Sequence, residues 1–328
     1  MSNLEKRPAE TVVRAAAQTD AATGVEILFP RDVPLGGPRA MSVRRTLPQR
    51  ARSTIGAWCF IDHYGPDPVD HAGAMQVPPH PHTGLQTVSW LFAGEIEHRD
   101  SVGSHAMVRP GELNLMTAGR GISHSEVSTA ATTSLHGAQL WVALPDGARD
   151  HEPFFEHHVP QPVWFEGATV RVIVGTLLGV GSAASAFTPL VGAQIDLPAG
   201  ARIELPVDAS FEHGVLADTG RVRVEGTWAE PSQLAYVDTG RSVLRLEAET
   251  DAPARVLLVG GVPFGEQIVM WWNFIGRSHE EVVEFRRQWQ AEVIAGEDPH
   301  GRFGAIPSYD GSALPAPELP TVRLKPRA

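Results

Sequence analysis

Short apolar or alternating segments separated by turn residues run through the chain from Val25 onward, and they constrain the fold more than any other feature. They are five to seven residues long, which is typical of β-strands. Clear examples are Thr87–Phe92, Glu112–Thr117, Gln139–Leu144, Thr169–Val174, Arg221–Glu225 and Arg255–Val259. Turn residues are abundant, since the sequence holds 32 Gly and 27 Pro. The pattern predicts an all-β protein built as a sandwich or a barrel.

A weak internal repeat divides these strands into two sets. Pro110 leads into a strand that ends before Gly119, and Pro231 and Gly240 bracket a later strand with the same spacing. Two copies of one β-barrel explain both this repeat and the length of 328 residues. We therefore predict a loose N-terminal arm over residues 1–23, a first barrel over residues 24–160 and a second barrel over residues 161–328.

One helix is predicted near the end of the chain, where it would cover a sheet. Ser278 is a candidate N-cap, and Glu281 three residues later completes a capping-box pattern. The apolar positions that follow are spaced by three and four, and Gly296 is the expected stop. These apolar positions are Val282, Phe285, Trp289 and Val293. The proline-rich segment 314–320 predicts an extended tail over the surface.

The charge and cysteine counts exclude several classes of protein. Lys and Arg number 27 against 38 Asp and Glu, a net charge of −11 without a basic cluster, so we expect no direct nucleic-acid binding. Cys59 is the only cysteine, which excludes an internal disulfide and favours a small buried apolar residue. No segment has the pattern of a signal peptide or a membrane span, so we expect no membrane interaction and a cytoplasmic location.

Two pairs of polar residues form the strongest chemical signal. His80 and His82 flank a proline, and His124 and Glu126 flank a serine, so each pair lies on one face of an extended segment. Neighbouring strands would bring three imidazoles and one carboxylate together inside a barrel. This ligand set suits iron, with manganese, nickel, copper, cobalt and zinc left open. Isolated His-x-His pairs are also common on surface strands without a metal, and that alternative stays open on spacing alone.

The stretch from His80 to Glu126 resembles the pirin family, a branch of the cupin superfamily. The residues that carry the resemblance are His80-Pro81-His82-Thr83-Gly84, Gly94-Glu95, His98-Arg99-Asp100-Ser101, Arg109-Pro110-Gly111, Met116-Thr117-Ala118-Gly119, Gly121-Ile122 and His124-Ser125-Glu126. The resemblance is dense over residues 43–145 and thinner in the second half. It implies a bicupin, with two jelly-roll β-barrels in tandem and a C-terminal helix packed on the outside.

The resemblance also implies a site. The first barrel of a pirin holds one metal, usually iron(II), and the ligands correspond to His80, His82, His124 and Glu126. The second barrel is expected to be metal-free, and its segment 200–215 offers only His213. Thr83 and Gln86 stand where many pirins carry arginine and glutamate. We expect these two residues to give the mouth of the pocket a different shape from that of other pirins.

Three further histidines have less specific interpretations. His98, with Arg99 and Asp100, matches the family hairpin, and we interpret it as hydrogen-bonding structure, with support of a metal ligand as the less favoured alternative. His63 and His136 lie in matching segments and are interpreted as core or interface residues rather than ligands.

Two function classes follow from the resemblance. The leading hypothesis is a quercetin 2,3-dioxygenase-like oxidoreductase that acts on a flavonol-type, small aromatic substrate and O₂, with Glu126 as the catalytic base. The alternative is a redox- or metal-sensing regulatory protein whose partner is a transcription factor or a metabolic enzyme. A third interpretation, a purely structural metal, predicts that no small molecule reaches the site.

Overall fold

The computed structural model describes residues 17–35, 41–68, 75–306 and 309–327, and β-strands are their main regular structure. The strands of the first half are β1 (Ala17–Thr19), β2 (Glu26–Leu28), β3 (Arg31–Leu35), β4 (Met41–Leu47), β5 (Trp58–Pro68), β6 (Gln76–His82), β7 (Leu85–Ala93), β8 (Ile96–Asp100), β9 (His105–Val108), β10 (Leu113–Thr117), β11 (Ile122–Ser128), β12 (Ser134–Ala143) and β13 (Phe154–His158).

The second half continues the pattern and adds the helix. Its strands are β14 (Val163–Phe165), β15 (Ala168–Leu177), β16 (Val180–Gly181), β17 (Leu190–Leu197), β18 (Arg202–Pro206), β19 (Glu212–Thr219), β20 (Val222–Val224), β21 (Thr227–Ala229), β22 (Leu234–Val237), β23 (Val243–Ala248), β24 (Ala254–Gly261), β25 (Val269–Trp271) and β26 (Phe274–Gly276). The helix α1 (His279–Trp289) passes into a π-helical turn (Gln290–Ile294). Among the described residues, no helix is long and apolar enough to cross a membrane.

The two barrels share one strand order, which confirms the predicted all-β tandem architecture. The large sheet of the first barrel contains β10-β7-β12-β5, and that of the second contains β22-β19-β24-β17. The small sheets correspond in the same way, as β6-β11-β8-β9 and β18-β23-β20-β21. The predicted repeat is part of this duplication, because Pro110 and Pro231 lie just before the equivalent strands β10 and β22.

Alternation along the strands explains where the cores lie. In β18, Ile203 and Leu205 are buried while Arg202 and Glu204 are exposed, so one face turns into the second barrel. Full burial of an aliphatic side chain is worth roughly 1.5–3 kcal/mol, and each barrel has its own apolar core. A third apolar cluster lies between the barrels, where the indole N–H of Trp58 donates to the Val191 carbonyl at 3.1 Å.

The two ends of the described chain are exchanged between the barrels. β1 and β2 extend the large sheet of the second barrel, since β2 pairs with β22. The C-terminal segment returns to the first barrel, where Ile275 N–H donates to the Thr83 carbonyl and Leu314 N–H to the Pro79 carbonyl. Of the predicted arm, residues 1–16 lie outside the described residues, and Ala17–Thr19 is a strand. The domain limits at residues 24, 160 and 161 stay predictions.

The helix begins as its sequence predicts. The Ser278 side chain caps it by accepting from the Glu281 N–H at 3.2 Å, while the Glu281 carboxylate accepts from the Arg277 N–H. Val282 and Trp289 are buried, and the Trp289 indole donates to the Leu314 carbonyl. The helix therefore packs on β25 and β26 under the C-terminal tail.

Candidate metal centre

The predicted histidines lie on two neighbouring strands of the small sheet in the first barrel. His80 and His82 are on β6, His124 is on β11, and the antiparallel register places His124 directly opposite His80. Pro81 separates the two β6 histidines, and the extended backbone turns both to the same face. All three imidazoles are buried. The structure thus brings together three of the four predicted ligands as one group.

The outer nitrogens of two imidazoles are held by backbone carbonyls. His80 Nδ1 lies 2.9 Å from the Pro78 carbonyl oxygen, and His82 Nδ1 lies 3.2 Å from the Asn273 carbonyl oxygen. A carbonyl only accepts, so each Nδ1 carries the hydrogen and each Nε2 presents a lone pair. This is the arrangement by which proteins orient histidines for metal binding.

The third imidazole is oriented by a side-chain relay. Asp100 accepts a hydrogen bond from His98 Nε2 at 3.1 Å, and His98 Nδ1 lies 3.4 Å from His124 Nδ1. With the ring hydrogen of His98 placed on Nε2 for Asp100, His98 Nδ1 accepts from His124 Nδ1, and His124 Nε2 presents a lone pair. His124 Nε2 lies 3.0 Å from His82 Nε2. Two lone pairs at this distance repel each other unless a cation lies between the imidazoles, so the donor set fits a metal ion.

Burial keeps the three imidazoles neutral. Desolvation lowers the pKa of His80 to about 3 and the pKa values of His82 and His124 well below their ordinary value. Neutral imidazole is the form that binds metal, so at neutral pH these histidines need to lose no proton before they ligate.

Glu126 lies beside the three histidines in an adjoining group. Its ligand oxygen clusters with the nitrogens of His98 and His124, all within 4.8 Å of one another. Its Oε1 lies 3.1 Å from the Ser89 hydroxyl, which is also 2.9 Å from Gln139 Oε1. Burial raises the pKa of the Glu126 carboxyl. A carboxylate beside three imidazoles completes the mixed nitrogen and oxygen set that first-row divalent metals accept.

Some of the residues that support the ligands could be anticipated from the sequence. His98 and Asp100 had the less favoured interpretation as support for a ligand, and their alternation along β8 was the available signal. Asn273 was not foreseen, because it is 191 residues from His82 and acts through its backbone carbonyl. Ser89 lies inside a predicted strand and carried no signal of its own.

Gln86 and Thr83, the two residues that depart from the family pattern, both make side-chain hydrogen bonds in the fold. Gln86 is buried and its amide donates to the Thr117 hydroxyl at 2.9 Å and to the Ser185 carbonyl at 3.1 Å. Thr83 donates to the Ile275 carbonyl at 3.3 Å. Both side chains therefore tie the first barrel to other parts of the chain.

The equivalent strands of the second barrel carry apolar residues. β18 and β23 pair in the register Ile203 to Leu246 and Leu205 to Leu244, and all four side chains are buried in the core. None of the four has a donor atom for a metal. His213 lies on β19, in the other sheet, rather than on this strand pair.

A second buried cluster links the two barrels. Asp218 Oδ1 accepts from His63 Nε2 and from His136 Nε2, both at 2.6 Å, and Asp218 Oδ2 accepts from Arg255 Nε at 2.6 Å. Arg44 Nε lies 3.4 Å from His63 Nδ1, so both ring nitrogens of His63 have hydrogen-bond partners. The group has metal-ligand spacing, yet its ring nitrogens already donate to one carboxylate beside a guanidinium. We call His63, His136, Asp218 and Arg255 the latch, because their hydrogen bonds join the two barrels. This agrees with the interpretation of His63 and His136 as interface residues.

Removing the latch carboxylate is predicted to destabilise the protein. We expect Asp218→Ala to lower the free energy of unfolding by about 3 kcal/mol or more, because Arg255 and two imidazoles lose their shared acceptor. Urea unfolding of the variant measures the loss. Glu204→Ala, which removes an exposed ion pair with Arg245, is the control and should change stability by less than about 1 kcal/mol. Equal effects would contradict the latch.

The latch also makes stability sensitive to acid. Burial lowers the pKa of His63 from its ordinary value of 6.5, against the opposing hydrogen bond with Asp218. Burial raises the pKa of Asp218, but hydrogen bonds from His136 and His63 outweigh it and hold the pKa below the ordinary 3.8. Both folded-state pKa values are depressed, so stability falls as pH drops below 6.5 and falls further below 3.8. In Asp218→Ala the lower step should disappear.

Two tandem cupin barrels, with a histidine cluster inside the first, define the class of the protein as a bicupin. Comparison with known families gives the finer assignment. The Pirin family matches residues 40–142, and the Pirin C-terminal cupin domain matches residues 192–295. The chain belongs to the pirin family.

Relatives with two kinds of name are similar to this chain. A Pseudomonas aeruginosa protein named "Putative quercetin 2,3-dioxygenase PA1205" is 42% identical over 291 residues, covering 88% of this chain and 89% of that protein. A pirin-like protein of Caulobacter vibrioides is 35% identical over 275 residues, covering 81% and 94%. The crystal structure of a quercetin 2,3-dioxygenase from Acinetobacter baumannii superimposes with a TM-score of 0.84 at 39% identity, covering 92% of this chain and 97% of that one.

Proposed function

We propose that the protein is a metal-dependent dioxygenase that uses O₂ to open flavonol-type, quercetin-like substrates. In this proposal His80, His82, His124 and Glu126 hold the metal, and iron(II) is the metal we assign. The observation that carries the proposal is that ring nitrogens of three buried imidazoles lie within 4.8 Å of one another. The names of two similar proteins, from Pseudomonas and Acinetobacter, direct the choice of substrate.

The donor set favours an anionic substrate. Three neutral imidazoles and one carboxylate around a divalent ion leave a net charge of about +1. When bound, the metal would supply Lewis acidity toward the 3-hydroxyl and 4-carbonyl oxygens of a flavonol and a redox path to O₂. Aromatic side chains pack around the site, since the ligand His82 lies edge-on against Trp141, and His98, which orients His124, stacks on Phe155.

Glu126 is the residue we assign as the catalytic base. Its carboxyl is buried beside the imidazoles, and a carboxylate that ligates a metal through one oxygen keeps its second oxygen within reach of a substrate proton. Oε1, which lies 3.1 Å from the Ser89 hydroxyl, would be the oxygen on the metal, and Oε2 would take the proton of the flavonol 3-hydroxyl. Loss of that proton gives the electron-rich anion that reacts with O₂.

Oxygen uptake by the iron(II)-loaded protein tests this function. With quercetin we expect uptake matched by loss of the flavonol absorbance. The control substrate is the flavone that lacks only the 3-hydroxyl, and it should be inert because it offers no proton to Glu126. Absence of uptake by protein confirmed to hold one ferrous ion would overturn the proposal. Partner capture at two oxidation states of the metal would then test the regulatory alternative.

A further inference from the structure

A cavity of about 400 Å³ opens in the second barrel and is lined entirely by residues of that barrel. Its walls are mostly apolar, with Leu177, Val191 and Phe211 among them. Its polar lining residues include His213 and Thr188. A small apolar cavity with few polar groups is the usual form of a site for a small organic molecule.

His213 turns inward from β19. It shares one face of this strand with Val215 and Ala217, which belong to the apolar core of the second barrel. The imidazole also lies against Gly260 on the neighbouring strand, where a Cβ would come within 2.8 Å of His213 Cδ2. Glycine at this position makes the room that the ring occupies, so the imidazole is fixed at the cavity wall.

The polar atoms of this wall are unpartnered. His213 is completely buried, and neither of its ring nitrogens has a hydrogen-bond partner among the described residues. The Thr188 hydroxyl oxygen is in the same state. Buried donors and acceptors without partners are costly and are rare in folded proteins. Three such atoms beside one cavity are available to hydrogen-bond a molecule that enters it.

The charge of the wall limits the guest to an uncharged molecule. Burial lowers the pKa of His213 to about 4, so at neutral pH the imidazole offers one N–H donor and one lone pair. The carboxylate of Asp208, an exposed residue, also lines the cavity. A neutral imidazole and an exposed carboxylate beside the cavity disfavour an anion. A hydroxyl suits the wall, because it donates and accepts at once.

We propose that this cavity is a second small-molecule site, and that it binds an uncharged single-ring phenol. The hydroxyl would hydrogen-bond to His213 and Thr188, and the aromatic ring would lie among the apolar walls beside Phe211. This site is independent of the candidate metal centre, because its lining comes from β15, β17 and β19 and from the segments next to them.

Calorimetric titration of phenol into the full chain tests the proposal. We expect saturable binding at one site, with benzene bound about tenfold more weakly because it makes no hydrogen bond. His213→Phe and Thr188→Val should each weaken phenol binding about tenfold or more, and His213→Gln, which keeps a donor and an acceptor, should retain it. His124→Ala should bind phenol as the unaltered protein does.

Three results would overturn the second site. They are no saturable binding at millimolar phenol, equal affinity in Thr188→Val and the unaltered protein, and loss of binding in His124→Ala. The last would place the phenol at the metal centre. Thr188→Val keeps the test decisive if His213→Phe does not fold, because Thr188 is only partly buried and valine has nearly its shape.

Discussion

Replacing His124 with alanine will abolish metal binding. His124 supplies one of three convergent nitrogens, and it also connects the centre to the His98 and Asp100 relay. Changes to residues that only support a ligand cost about 10-fold to 100-fold in metal affinity, so loss of a ligand should cost more than about 100-fold. Metal content after desalting should fall from one ion per chain to nearly none, and metal-dependent oxygen uptake should be lost with it.

The same variant should leave the metal-free fold intact. Alanine relieves the repulsion with His82 Nε2 but also removes the partner of His98 Nδ1, so metal-free His124→Ala should still unfold cooperatively, at a temperature somewhat below that of the metal-free parent. His105→Ala is the matched control, because His105 is an exposed histidine on β9 paired only with Glu97 in the described structure. It should keep full metal content. Undiminished metal in His124→Ala would contradict the assignment of the ligands.

Replacing Glu126 with glutamine will slow flavonol oxidation by about 10²-fold or more at full metal occupancy. Glutamine has nearly the same shape but cannot take the proton of the 3-hydroxyl. Rates are compared only after metal content has been equalised, which separates the role of Glu126 as a base from its role as a ligand. Raising the pH should rescue the variant, because the flavonol then loses its proton to solvent.

The rescue distinguishes the assigned role from a structural one. A Glu126→Gln protein that is merely misfolded would stay slow at every pH. Glu95→Gln, at a surface glutamate paired with Arg109, is the control and should leave the rate unchanged. A rate equal to that of the parent at matched metal content would show that Glu126 is not the base.

Local patterns in the sequence were enough to predict the barrels and the histidines that meet in the first of them. Strand alternation and turn residues are properties of neighbouring positions, and the duplicated Pro-to-Gly spacing reported the two equivalent halves. His80 and His82 could be placed on one face because the period of a strand is two. The helix from Ser278 followed from a cap and an apolar face in the same way.

Contacts between distant segments were beyond such patterns. The exchange of chain ends depends on which sheet edge is free after each barrel closes, so β2 gave no sign that it would pair with β22. His63 was assigned to an interface without its partner, because Asp218 is 155 residues away. The Asn273 carbonyl that orients His82 is equally remote. Long-range pairing is fixed by the packing of whole barrels rather than by local sequence.

An anomalous-diffraction map of the iron-loaded crystal, recorded at the iron absorption edge, is the most direct test of the central claim. We predict one strong peak bound by His80 Nε2, His82 Nε2, His124 Nε2 and a Glu126 oxygen, at about 2.0–2.2 Å, the range of metal bonds to such ligands. A peak among His63, His136 and Asp218 instead, or no peak near the three first-barrel histidines, would contradict it.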